Sequence, residues 1–234
     1  MITRVYHITK FQDFSSYIFF RGCNWNCEFC IMKKYTFDIH WSKNQSQNLS
    51  IKFLTIDNVL KILLENNIKE VFLGGGEPTI DTALIPLLLE LKNKNIKINI
   101  LTNGELLNEK IVNLSDRISF SIKAINNEVH KMITHRSNKK SLENLMKYIN
   151  EKFSFETVYV RKLGCKNVME IASFLDSLKS NSLLRVDPLI PINNKFSRPS
   201  LKEVDDCIRF VSKNTNVIPY RIKGNGQSAE VLYP

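Results

Sequence analysis

The chain has 234 residues, 43% of them hydrophobic, with 33 Lys and Arg against 23 Asp and Glu for a formal charge of +10. That is enough apolar material for one well-buried core and predicts a single domain over residues 1–234; nothing near the N-terminus resembles a signal peptide and no apolar run approaches a membrane span, so the expectation is a soluble cytoplasmic protein with no membrane partner. The positive charge favours an acidic partner such as RNA or a negatively charged protein face, yet the basic residues are scattered, as at Lys33-Lys34 and Lys139-Lys140, which also suits a solvated basic surface.

In chain order, residues 17–20 read as a first strand that runs into a loop holding Cys23, Cys27 and Cys30. Residues 38–48 are polar and irregular and read as a loop wrapping that site. Over 55–66, Ile56, Val59, Leu60, Leu63 and Leu64 have the spacing of one helix face. A second strand, 70–73, leads into Gly74-Gly75-Gly76-Glu77-Pro78, and a helix follows through 84–91. The third strand, 97–101, ends at Thr102-Asn103-Gly104. The fourth, 117–122, contains Ser121 and ends at Lys123. Helices over 126–133 and 141–152 precede a fifth strand at 156–160, which ends at Arg161. A helix over 168–179 and a sixth strand at 184–190 bring the chain to Asn193.

Alternating strands and helices of this kind predict an α/β fold of parallel βα units, here an open (βα)6 partial TIM barrel with the cysteine loop after strand 1. The polar motifs fall just after strands, so they are expected to meet at one mouth. The tail over 221–234, with Gly224 and Gly226, reads as a surface turn rather than a cover over the barrel.

The three-then-two spacing of Cys23, Cys27 and Cys30 carries the most chemistry. A cubane 4Fe-4S cluster is normally closed by four thiolates, so three leave one iron open to a substrate or cofactor. Zinc is the rival, but it usually takes four ligands as two separated pairs, and neither His7 nor His40 has such a spacing to the loop. Five cysteines with three in one loop fit a reducing compartment, and the site is expected to be oxygen-sensitive.

With Phe29 just before the last cysteine, the loop resembles the signature of the radical SAM superfamily, and the chain is most similar to the pyruvate-formate-lyase and glycyl-radical-enzyme activase group. The resemblance implies a metal-binding oxidoreductase with a 4Fe-4S cluster on Cys23, Cys27 and Cys30. S-adenosyl-L-methionine would chelate the open iron and be split to a 5′-deoxyadenosyl radical by an electron from a reducing flavodoxin or ferredoxin. It also implies that Phe29 lies near the adenine, that Gly74, Gly75, Gly76 and Glu77 meet the methionine amino group, and that Lys123 meets the carboxylate. Thr102, Asn103 and Ser121 fall in the corresponding strand-end elements, Arg161 matches a basic position, and Asn193 a polar residue near adenine and ribose. Ile31-Met32-Lys33 departs from the activases' His-Asn-Pro, and Leu101 and Ser121 stand where acidic residues are common, so a cation site there is expected to be absent.

Cys207 lies in an apolar helical run with Val204, Ile208 and Val211 and reads as core. Cys165, near the mouth, reads as core or as a thiol able to donate hydrogen to a substrate radical. The leading reading is an activase-like enzyme that abstracts hydrogen from a protein or peptide. The alternatives are radical modification of RNA, a nucleoside or a small metabolite, and a non-catalytic iron–sulfur or zinc-binding module.

Overall fold

The computed structural model describes residues 1–38, 50–222 and 229–234. Most of the predicted loop 38–48, His40, Gly224 and Gly226 lie outside the described residues. Strand β1 (Val5–Lys10) pairs antiparallel with β2 (Ser15–Phe20). From β2 the sheet continues in parallel through β3 (Glu70–Gly75), β4 (Lys97–Thr102), β5 (Arg117–Ser121), β6 (Phe153–Tyr159), β7 (Leu183–Pro188) and β8 (Ile218–Tyr220). A last strand, β9 (Glu230–Tyr233), pairs antiparallel with the outer edge of β1. The spatial order is β8-β7-β6-β5-β4-β3-β2-β1-β9, so the two end strands do not meet and the barrel stays open.

Helices α1 (Ile56–Glu65), α2 (Leu84–Asn93), α3 (Glu109–Leu114), α4 (Asn127–Thr134), α5 (Lys139–Tyr148), α6 (Gly164–Leu178) and α7 (Leu201–Asn214) occupy the crossovers. Parallel neighbours require such crossovers, because a tight turn cannot return the chain to the same end of the sheet. Local chemistry sets the helix starts: the Thr55 side chain accepts from the Asn58 N–H, Asn126 caps α4, and Ser200 with Glu203 forms a reciprocal capping box on α7.

The core lies between the helices and the outward face of the sheet. Leu87, Leu88 and Leu91 of α2 and Ile98 and Ile100 of β4 are fully buried there, each stabilising the fold by roughly 1.5–3 kcal/mol relative to exposure. Ile56, Val59, Leu60 and Leu63 of α1 join them, whereas Leu64 is 47% exposed and lies off the predicted face. Among the described residues no helix is long and apolar enough to cross a membrane.

Two expectations are corrected. The C-terminal segment is not simply a turn, since Val231 and Tyr233 pair with Thr9 and Ile8 at the sheet edge. Cys165 and Cys207 are not independent: a disulfide joins them across α6 and α7, so Cys165 carries no S–H to donate. The pairing arises because those helices pack side by side, which the separation of 42 residues conceals.

His7 links β1 to β9. Its Nδ1–H donates to the Tyr233 carbonyl at 2.7 Å, and its ring sits 4.9 Å from Phe19 and 5.2 Å from Phe37, centroid to centroid. Burial lowers its pKa from 6.5 to about 4, opposed by the Tyr233 hydrogen bond and the Asp38 charge. A depressed imidazole leaves the folded chain neutral where the unfolded chain already takes up a proton. Its stabilising contribution is therefore full above pH 6.5 and is lost as pH falls toward 4, by up to about 3 kcal/mol. His7→Gln is expected to flatten the fall in urea midpoint between pH 7 and pH 4.5; an unchanged slope would show that other groups carry it.

Candidate active site

The carboxyl ends of the parallel strands surround one cavity of about 560 Å³, and Cys23, Cys27 and Cys30 line it. All three thiols are free. Their loop leaves β2 through Gly22, at φ +90°, and is pinned from the side by α4: the Asn26 N–H donates to the Thr134 carbonyl at 3.1 Å and the Glu28 N–H to Ile133 at 2.8 Å. Carbonyls in the last turn of a helix have no intrahelical partner, so the loop satisfies acceptors that would otherwise need water. Trp25 packs edge-on against His130 with centroids 4.6 Å apart, and its indole N–H donates to Glu105.

Cys23 is open to the cavity, yet the surrounding protein pushes its thiol up to about 12, with desolvation as the main cause. Burial also raises Cys27, opposed by the Lys123 charge. Such thiols stay protonated until a metal displaces the proton, which suits ligands better than nucleophiles. Among the described residues no three Cys, His, Asp or Glu side chains converge on one point, as a single metal ion would need. An iron–sulfur cubane instead takes one thiolate per iron, so three spread thiols around a cavity fit it.

The end of β3 is tied to the end of β2. The Gly76 N–H donates to the Phe20 carbonyl at 2.9 Å and the Glu77 N–H to the Gly22 carbonyl at 2.8 Å. A Cβ on Gly76 would lie 2.0 Å from the Gly22 backbone oxygen, so that position requires glycine, and one on Gly74 would lie 2.2 Å from the Tyr17 hydroxyl and would displace that ring. Gly75 and Gly76 line the cavity, while the Tyr17 ring stands against Gly74.

Glu77 is 2% exposed. One carboxylate oxygen accepts from the Thr79 hydroxyl at 2.6 Å, the Thr79 N–H at 3.2 Å and the Thr102 hydroxyl at 2.7 Å, and the other from the Asn103 N–H at 2.7 Å. Burial pushes its pKa up, and these hydrogen bonds oppose the shift. Asn103 in turn donates through its side chain to Asn24 Oδ1 at 2.7 Å. Glu77 thus braces the ends of β3 and β4 and, through Asn103, the cysteine loop.

Lys123 donates to the Ser121 hydroxyl at 2.6 Å, and both line the cavity with Thr102 and Asn103. Phe29 also lines it, standing edge-on to Phe196 with centroids 5.9 Å apart. Three other predicted positions lie elsewhere. Arg161 forks onto Glu203 at 2.9 and 2.7 Å and donates to Ser197 at 3.1 Å, bracing the β6 exit against α7 outside the cavity. Asn193 is exposed, with its side-chain oxygen accepting from the Lys195 N–H. Cys165 is held in the disulfide.

Sequence reasoning missed a charged group on the cavity floor. Glu156 and Asp187 line it beside Tyr17, and Arg185 donates to Asp187 at 2.8 Å and also to Glu156. The available signal was the period of two that puts Arg185 and Asp187 on the same face of one strand.

The family described as the Radical SAM superfamily matches residues 17–175. A Methanocaldococcus jannaschii protein named as a glycyl-radical enzyme activating enzyme is 29% identical over 67% of this chain and 60% of its own length. The 7-carboxy-7-deazaguanine synthase of Clostridium acetobutylicum is 28% identical over 62% of this chain and 57% of its own. The chain therefore spans less than two thirds of these curated relatives. Streptococcus suis SuiB bound to S-adenosylmethionine shares the fold, with a TM-score of 0.62 and 16% identity over 86% of this chain and 45% of SuiB.

Proposed function

The chain belongs to the radical SAM superfamily, and from that premise we propose that it cleaves S-adenosylmethionine reductively and abstracts hydrogen from a protein or peptide substrate. The family's members are enzymes that use a 4Fe-4S cluster and S-adenosylmethionine. When bound, the reduced cluster would supply one electron to the sulfonium of S-adenosylmethionine, breaking its C5′–S bond to give methionine and a 5′-deoxyadenosyl radical able to take a hydrogen atom from the substrate. Cys23, Cys27 and Cys30 would hold the cluster. The Lys123 ammonium would meet the methionine carboxylate, Gly75 and Gly76 would allow close approach of its amino group, and Phe29 would pack near the adenine.

The convergence of three free thiols with Lys123, Gly75 and Gly76 on one cavity carries this reading. The relative named for activating another enzyme and the unclosed barrel favour a protein or peptide substrate. A small-molecule substrate is the second reading, favoured by the similarity to 7-carboxy-7-deazaguanine synthase. A reducing flavodoxin or ferredoxin would supply the electron to a cytoplasmic enzyme whose three loop thiols are free.

The test is anaerobic reconstitution with iron and sulfide, reduction by dithionite, and addition of S-adenosylmethionine. The expected result is 5′-deoxyadenosine together with a cluster paramagnetic resonance signal that S-adenosylmethionine alters. A stoichiometric zinc protein, or a cluster signal indifferent to S-adenosylmethionine, overturns the proposal.

A further inference from the structure

One wall of the same cavity takes no part in the cofactor site proposed above. Tyr17, Leu101, Glu156, Val158 and Asp187 form it, all from strands, so it is rigid and lies inside the barrel. Its polar part is one connected unit. Glu156 and Arg185 are register partners across β6 and β7, and the Arg185 guanidinium donates to both Glu156 and Asp187.

The charges do not cancel: two carboxylates face one guanidinium, leaving an excess of one negative charge on the floor. Each carboxylate engages Arg185 through one oxygen, and among the described residues the second oxygen of each has no hydrogen-bond donor. The Tyr17 hydroxyl accepts from the Gly75 N–H at 3.0 Å, which leaves its own proton to donate. Two cations also face the cavity. Lys123 is held on Ser121, the register partner of Glu156, and its charge acts on Asp187 without an ion pair to it, while Arg198 is exposed at the rim. Burial raises the pKa of Asp187 while Arg185 opposes the shift, and an incoming cation would further favour the charged carboxylate.

We propose that Tyr17, Glu156, Arg185 and Asp187 are the substrate-binding floor, and that they select a positively charged, hydrogen-bond-donating group, such as the ammonium of a lysine or the guanidinium of an arginine in a peptide. The inference rests on the reading of the chain as a radical SAM enzyme acting on a protein or peptide. A cation there finds two free carboxylate oxygens in a partly buried site, where each charged hydrogen bond is stronger than at an open surface. An anion would meet two like charges at short range, with the one guanidinium already occupied.

The test uses the reconstituted protein with S-adenosylmethionine and three probes: the Nα-acetyl methylamides of lysine, norleucine and glutamate. Dissociation constants come from saturation-transfer NMR, and 5′-deoxyadenosine is assayed in the same samples. The lysine probe is expected to bind about tenfold tighter than the norleucine probe, and the glutamate probe most weakly. In Glu156→Gln and Asp187→Asn the lysine preference is expected to shrink to about threefold or less, with iron content and circular dichroism as checks on folding. Equal binding of the three probes, binding of none, or preference for glutamate overturns the assignment. If the wild type makes no 5′-deoxyadenosine, the radical SAM reading fails instead, and the order of probe affinities still reports on the floor.

Discussion

Cys27→Ala is expected to lower 5′-deoxyadenosine formation at least ~10³-fold, to background, and to leave the reconstituted protein short of iron and sulfide. Cys27 lines the cavity, is unpaired, and has its thiol held in the protonated form by burial. With one of three thiolates removed, two irons rather than one would lack a protein ligand, and the cluster would no longer be held. The folded apo-protein should change little, because Cys27 sits in a loop pinned by the backbone bonds of Asn26 and Glu28 to α4 rather than by its side chain. Iron and sulfide per chain, turnover, and the apo-protein's thermal transition separate these effects. Cys165→Ser is the control, since the disulfide places that sulfur outside the cavity, and its iron content should match the wild type. A Cys27→Ala protein that keeps its cluster and its turnover would mean that the ligands lie elsewhere.

The parallel strands were legible because their buried segments read as short apolar runs such as Val71-Phe72-Leu73, bounded by glycines or polar turns. The mouth was legible for a topological reason: once strands are parallel, every motif following a strand lies at the same end. What stayed hidden depends on contacts between distant parts of the chain. Strand β9 exists as a partner of β1, more than two hundred residues away in sequence, and four residues carry no periodicity of their own. Arg161 stands at the right strand end but is drawn away from the cavity by Glu203, whose position follows from the cap of α7. Glu156, Arg185 and Asp187 look like ordinary charged residues until the register of β6 on β7 sets Glu156 opposite Arg185. The sequence therefore exposes the cofactor half of the cavity, built from contiguous motifs, and conceals the other half, built from side chains that meet only across the sheet.

Glu77→Ala should cost the apo-protein about 4 kcal/mol and weaken S-adenosylmethionine binding by more than tenfold, because the carboxylate works as a brace before any ligand arrives. Removing it leaves the Asn103 N–H, the Thr102 hydroxyl and both Thr79 donors without their acceptor. Buried donors left unpaired cost roughly 1–3 kcal/mol each, and partial relaxation keeps the sum nearer the low end. Thr102 has little freedom to adapt, since its oxygen already accepts from the Gly104 N–H at 3.0 Å. Once Asn103 shifts, its bond to Asn24 weakens, and the disturbance reaches the cysteine loop. Glu77→Gln should fall between the wild type and alanine: the amide oxygen still accepts on one side but an NH2 group now faces a donor on the other. Denaturant unfolding of the apo-protein and calorimetric titration of the reconstituted protein with S-adenosylmethionine measure the two effects separately. If Glu77 served only as a contact for the ligand's ammonium, both variants would bind more weakly while the apo-protein kept its stability to within about 0.5 kcal/mol. Loss of apo stability in the order alanine, glutamine, wild type would instead establish the brace.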